Sequence, residues 1–196
     1  MFFMKIVFGL GNPGSEYAST RHNVGFMAVE RLAAEHGCHL KESRFRSITG
    51  EAIICGQPVL LAMPQTYMNR CGLALEEILG EFSEPPESLL IIMDDFHLPL
   101  GRIRIRKRGS SGGHNGLKSL EESLGTQEFP RLKIGIGGFD EKKPIEFVLG
   151  EFSKAERGEI QTAVHLASQA AETWVESGIE EAMNFYNKKE VTQTNE

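Results

Sequence analysis

The chain has 196 residues, 40% of them apolar and 24% charged. That is the composition of an ordinary globular protein, long enough for one sizeable core and too short for two ordinary domains. The formal net charge of -6 argues against a general nucleic-acid binder but leaves room for a local basic face, and Cys38, Cys55 and Cys71, with neither paired nor metal-type spacing, point to reduced thiols in a cytoplasmic protein.

The apolar start MFFMKIVFGLG carries Lys5 and superficially suggests a signal peptide. It stops within about ten residues at Gly-Asn-Pro-Gly without a small-residue cleavage pattern, so a buried first strand over residues 6–10 is expected instead. No later run approaches the roughly 20 apolar residues that span a bilayer, so no membrane segment is expected.

Gly9, Gly11 and Gly14 satisfy G-x-G-x-x-G after that strand. In the dinucleotide-binding fingerprint the helix opens inside the glycine run and its N-terminus holds a pyrophosphate. Here Pro13-Gly14-Ser15 reads as a turn and the helix begins only near His22, so no nucleotide cofactor is expected. The glycines either turn the backbone sharply off the strand or bring Asn12 to a sheet edge where ligands sit.

Residues 24–34 place Val24, Met27, Ala28, Leu32 and Phe26 on one helical stripe, with Gly37 beyond its end. Ile53, Ile54 and residues 59–63 predict a hairpin across residues 56–58. Residues 72–82 are helical in pattern and stop before Pro85-Pro86. Residues 89–93 form a second buried strand ending at Asp94. Residues 102–106 alternate as a strand, 115–124 predict a short helix, and 132–137 a further strand. Ser153 and Glu156 form a capping-box signature that opens a long helix toward Trp174. Gly178 ends it, residues 179–187 predict a last helix, and the chain after Lys189 is polar and frayed. Strands interleaved with helices predict an α/β fold.

The residues that can do chemistry fall at the ends of these elements. His22 precedes the first helix, a position that suits a neutral imidazole able to accept a proton; the bland reading is a structural histidine. Asp94, at a strand end where α/β active sites gather, can hold one nitrogen of His22 and leave the other free to deprotonate water. A metal site from Asp94, Asp95, His97 and His114 matches no zinc spacing, and adjacent aspartates on a strand face opposite ways, so metal is not expected. Asn69 and Asn115 supply uncharged donors and acceptors suited to an ester or peptide backbone, with helix capping as the alternative.

Arg102, Arg104, Arg106 and Arg108 alternate with Ile103 and Ile105, so a strand would put the arginines on one face. Such a face is either a charged edge strand or a phosphate contact, and the concentration of like charge in an acidic protein favours phosphate. Lys107, Arg131, Lys133, Lys142 and Lys143 are positioned to extend it. Residues 109–116, rich in glycine and serine, read as a mobile wall of the site.

Three motifs carry a resemblance: FGLGNPGSEYASTRHNVGF, PQTYMNRCG, and the block from Asp94 to Lys118 containing LPLGRIRIRKRGSSGGHNGLKS. Together with RLKIGIGG and FVLGEF they resemble the bacterial-type peptidyl-tRNA hydrolase family along nearly the whole chain. The resemblance implies one α/β domain over residues 1–189, a twisted mixed sheet flanked by helices, with a polar tail at 190–196. It implies a monomer that releases peptide and free tRNA when translation stalls, without metal or cofactor. By the same resemblance His22 accepts the proton, Asp94 stabilises its basic form, and Asn12 distinguishes N-blocked substrate. Tyr17, Tyr67, Asn69 and Asn115 match tRNA-end and peptide positions, and Met68 lines the site. Arg104 and Arg106 are the expected phosphate contacts. Met63, Cys71 and His97 stand where the family commonly has lysine, serine and aspartate. The rival expectation is a non-catalytic RNA-binding protein of the same fold, which the presence of both His22 and Asp94 disfavours.

Overall fold

Seven strands form one open mixed sheet in a computed structural model that describes residues 4–138 and 144–188. They are β1 (Lys5–Gly9), β2 (Glu42–Arg44), β3 (Ser47–Ile54), β4 (Gln57–Pro64), β5 (Leu89–Asp95), β6 (Ile103–Arg106) and β7 (Arg131–Gly135), in the spatial order β2-β3-β4-β1-β5-β7-β6. β1 lies at the centre, paired in parallel with β4 on one side and β5 on the other. Its continuous apolar run follows from burial on both faces: Val7 joins one core cluster while Ile6 and Phe8 join the other.

Helices cover both faces. α1 (Val24–Glu35) and α5 (Arg157–Ser177) share one cluster with Val7, Leu61 and Ile92. α2 (Gly72–Phe82) and α3 (Asn115–Leu124) pack on the opposite face with Phe8, Leu60 and Ile91. The approach of α1 is unusually close at its start. A Cβ at Gly25 would sit 2.4 Å from the carbonyl oxygens of both Leu10 and Ile92, so only glycine allows the helix to rest on the ends of β1 and β5. Gly9 and Gly11 serve the same packing, against the Gly25 backbone and the Phe26 ring. Gly9 and Gly11 are therefore strand-to-helix packing residues, while Gly14, at φ 111°, serves the turn.

Several boundaries differ from the sequence expectation. The β3–β4 hairpin turns on two residues, Cys55 and Gly56, both at positive φ (49° and 76°), which matches the twist of the flanking strands better than the wider loop expected. The short polar strand β2 pairs antiparallel with β3, and α4 (Pro144–Val148) follows the undescribed segment; neither was anticipated. α5 begins at Arg157 rather than at the capping box. Glu156 does reach back to the Ser153 N–H at 2.8 Å, yet residues 154–156 form a turn. The last helix, α6 (Ile179–Tyr186), brings Asn187 against β6, where its amide bonds both the N–H (2.8 Å) and the carbonyl (3.0 Å) of Ile105 and closes part of that edge strand. No helix among the described residues is long and apolar enough to cross a membrane. Lys142, Lys143 and the tail 190–196 lie outside the described residues.

The basic face is smaller than the spacing suggested. Ile103 and Ile105 are buried while Arg104 and Arg106 are exposed, as alternation requires. Arg131, however, is 1% exposed, and its guanidinium is committed to the carbonyls of Gly109, Gln127 and Phe129. It stitches the loop before α3 to the loop before β7 and cannot reach a ligand. Lys133 pairs with Asp95, Lys107 with Glu180 and Arg108 with Glu128. Among the described residues Arg104 and Arg106, and the half-buried Arg102, make no ion pair.

Candidate active site

Parallel strands β1 and β5 end side by side, and the chain leaving each carries one half of a buried pair. After β1 the backbone turns through Gly14, runs back through a 3-10 turn (Arg21–Asn23), and enters α1. That turn sets His22 over the end of β5, where Asp94 points inward at 1% exposure. His22 Nδ1 lies 2.8 Å from Asp94 Oδ1. A carboxylate only accepts, so Nδ1 carries the proton and Nε2 is left as the basic atom.

His114 completes the arrangement and was weighed in the sequence only as a metal ligand. It is the N-cap of α3: its Nδ1 accepts from the N–H groups of Gly116 (3.1 Å) and Leu117 (3.3 Å). With that lone pair taken, the proton must reside on Nε2, which donates to the same Asp94 Oδ1 at 3.0 Å. Burial alone would push the Asp94 carboxyl up, but the His22 and His114 rings beside it outweigh burial and hold it well below the usual carboxylate range. Asp94 is thus an anion that fixes both tautomers.

His22, Asp94 and His114 bring potential metal-ligating atoms within 4.8 Å of one another. The donor set fits proton chemistry instead. The two nitrogens facing Asp94 carry the protons of its hydrogen bonds, and His114 could ligate through Nε2 only by becoming an imidazolate. The set considered from sequence is also divided: Asp95 turns away to accept from Lys133 (2.9 Å) and from the His97 backbone N–H (2.8 Å).

Asn12 is fixed by three bonds, two of them to Asn23, the residue after His22. Its Oδ1 accepts from the Met68 N–H at 2.9 Å, and its backbone N–H and carbonyl both bond the Asn23 side-chain amide at 2.9 Å. The first bond leaves the Asn12 Nδ2 donor for a ligand. Asn23, next to His22 in sequence, gave no signal of its own, because its role is to lock another residue's backbone. Met68 is 4% exposed, and its contribution here is that backbone N–H. The preceding residue, Tyr67, is 53% exposed with φ 62° and ψ 159°. A non-glycine residue in that region costs about 1–3 kcal/mol and persists where surrounding structure demands it.

Asn69 and Asn115 are both exposed, at the 3-10 turn after β4 and at the first position of α3. Neither caps a helix, which removes their main structural explanation. Tyr17 is half-buried in the turn before His22, and its carbonyl accepts from the N–H (2.9 Å) and hydroxyl (2.8 Å) of Thr20. Arg21 anchors the turn from the other side. It makes a two-point pair with Glu156 (3.0 and 2.9 Å) and stacks between the rings of Phe147 and Phe152. Hydrogen bonding to Arg21 holds the Glu156 carboxyl down at about 2. Cys71, 0% exposed, is pushed up to about 12 by burial and is no nucleophile at neutral pH.

Comparison with known proteins shows the family. A family model described as peptidyl-tRNA hydrolase matches residues 6–194. A peptidyl-tRNA hydrolase of Brevibacillus brevis is 44% identical over 185 residues, covering 94% of this chain and 98% of that protein. One from Listeria monocytogenes is 41% identical over 186 residues, covering 95% and 100%. Among solved structures, the peptidyl-tRNA hydrolase of Acinetobacter baumannii superposes with a TM-score of 0.90 at 37% identity, covering 95% of this chain and 96% of that one.

Proposed function

Because the chain belongs to the peptidyl-tRNA hydrolase family, we propose that it cleaves the ester bond of peptidyl-tRNA with a water activated by His22. The observation that carries the reading is the 2.8 Å bond from His22 Nδ1 to a buried, ionised Asp94, which leaves Nε2 as the base. Nε2 takes a proton from water as its oxygen attacks the ester carbonyl, and Asp94 stabilises the imidazolium that forms. The imidazolium then returns the proton to the departing ribose oxygen, so the ester and water become a carboxylic acid and a hydroxyl. Asn12 Nδ2, with the amides of Asn69 and Asn115, supplies donors for the carbonyl oxygen's growing charge. Tyr17, Tyr67 and Met68 shape the bed of the acyl and tRNA end. The protein acts as a cytoplasmic monomer, one domain over residues 1–189, without metal or cofactor. The non-catalytic RNA-binding alternative is not favoured: the relatives are named hydrolases, and both members of the proton-transfer pair are present and in contact.

The test is release of labelled acyl group from N-acetyl-aminoacyl-tRNA in the presence of EDTA. Release that continues in the chelator supports the reading; binding without release removes it.

Arg104 and Arg106 give a second expectation. Reversing both to glutamate raises KM about tenfold and lowers the slope of log KM against log salt by about two, one for each lost phosphate contact, with kcat little changed. Salt titrations of steady-state kinetics measure this.

His114 gives a third, because its two nitrogens do separable work. In His114→Asn the side-chain oxygen replaces Nδ1 as the cap, but nothing reaches Asp94; kcat falls about tenfold while the melting temperature stays near wild type. In His114→Gln an N–H still reaches Asp94 but the cap is lost; stability falls by about 1 kcal/mol and more turnover survives. Losses of kcat that simply track stability in both variants would show His114 to be structural only.

A further inference from the structure

The sheet order sorts the two arms of an ester substrate. The reacting pair hangs from β1 and β5 at the centre, and the exposed arginines lie on β6 at one edge. The phosphate-bearing arm is drawn toward that edge by charge. The acyl arm must then leave across β1 toward β4 and β3. A recess of about 270 Å³ opens on that side, beginning at Asn12 and walled by Phe26, Ile48 and Met63, with Gln65 and Glu30 among its remaining lining. Asn12, a donor for the ester carbonyl in the proposed reaction, lines the recess together with Asn23, its hydrogen-bond partner and the residue that follows His22. The volume suits one amino-acid side chain.

The lining has an uneven chemistry. Phe26 and Met63 are buried, offering an apolar bed, while among the described residues Glu30 is the one charged member of the lining, exposed and without an ion pair. An apolar trough with a carboxylate is complementary to a side chain with a long aliphatic stem and a cationic end. We propose that this recess is a subsite for the side chain of the residue preceding the esterified one, and that it favours lysine or arginine there. The inference rests on the hydrolase reading for its direction along the substrate.

The test compares N-acetyl-Lys-Phe-tRNA with N-acetyl-Glu-Phe-tRNA in the full-length protein. Wild type should favour the lysyl substrate in kcat/KM by about fivefold, the scale of one partly exposed ion pair. Glu30→Gln should bring the ratio near one and Glu30→Lys should invert it. A substrate carrying 2,3-diaminopropionate has the same charge on a shorter stem; it should lose most of the preference, which separates a formed subsite from long-range attraction to an acidic protein. A ratio near one in wild type, a ratio unmoved by Glu30→Lys, or equal preference for the short-stemmed cation would each overturn the proposal. Equilibrium binding of the corresponding amide-linked, non-hydrolysable tRNAs reads the same ratios without turnover. A protein that discriminates in binding but releases no acyl group would sink the hydrolase reading and leave the subsite standing.

Discussion

His22→Asn lowers kcat by about 10³-fold, the contribution expected of a positioned general base. Asparagine can donate to Asp94 in place of Nδ1, so the buried carboxylate keeps that partner and the fold persists. What disappears is the second, basic nitrogen, for which an amide has no equivalent. The loss therefore falls on kcat with KM largely unchanged, since no ground-state contact to tRNA is removed. Single-turnover hydrolysis of N-acetyl-aminoacyl-tRNA, with circular dichroism as a check on folding, measures it. Near wild-type turnover in a folded variant would take the base assignment away from this residue.

Asp94→Asn is the other large effect, with kcat reduced by about 10²- to 10³-fold. The change is selective because of how the carboxylate is used. Both imidazoles donate to Oδ1, and Oδ2 is buried with no partner among the described residues. An asparagine can place its carbonyl oxygen where Oδ1 stood and preserve both hydrogen bonds, so geometry and tautomers survive. The negative charge does not, and the imidazolium formed as water attacks loses its counter-ion in a water-poor site. The amide nitrogen also becomes a buried donor without an acceptor, which costs about 1–3 kcal/mol of stability. Thermal melts and kinetics together separate the two consequences. If Asp94→Asn turned over at the wild-type rate, Asp94 would be a structural acceptor and nothing more.

Much of this arrangement was legible in the sequence. The apolar runs of β1 and β5 identified central strands, and their ends located Asp94 and, through the delayed helix, His22. α2 and α3 were read with the bounds observed, because stripe and breaker signals agreed at both ends. The failures have physical causes. β2 is three polar residues whose strand character comes from pairing with β3, a tertiary effect that no local pattern carries. The capping box overran because Glu156, besides reaching Ser153, is drawn to Arg21 135 residues away. Arg131 has the same chemistry as Arg104 on paper, yet one is internal cement and the other surface charge. His114 was weighed only as a metal ligand because capping fixes its tautomer only once the orientation of the first turn of α3 is known.

The Arg21–Glu156 tie has a consequence for acid behaviour. With its folded value lowered to about 2 from an ordinary 4.5, Glu156 contributes its full stabilisation above the ordinary value and gives it up only as pH descends toward 2. The turn bearing the base therefore stays clamped to the segment that opens α5 throughout mild acidification, and whatever turnover is lost there is lost with this seam of the scaffold unaltered.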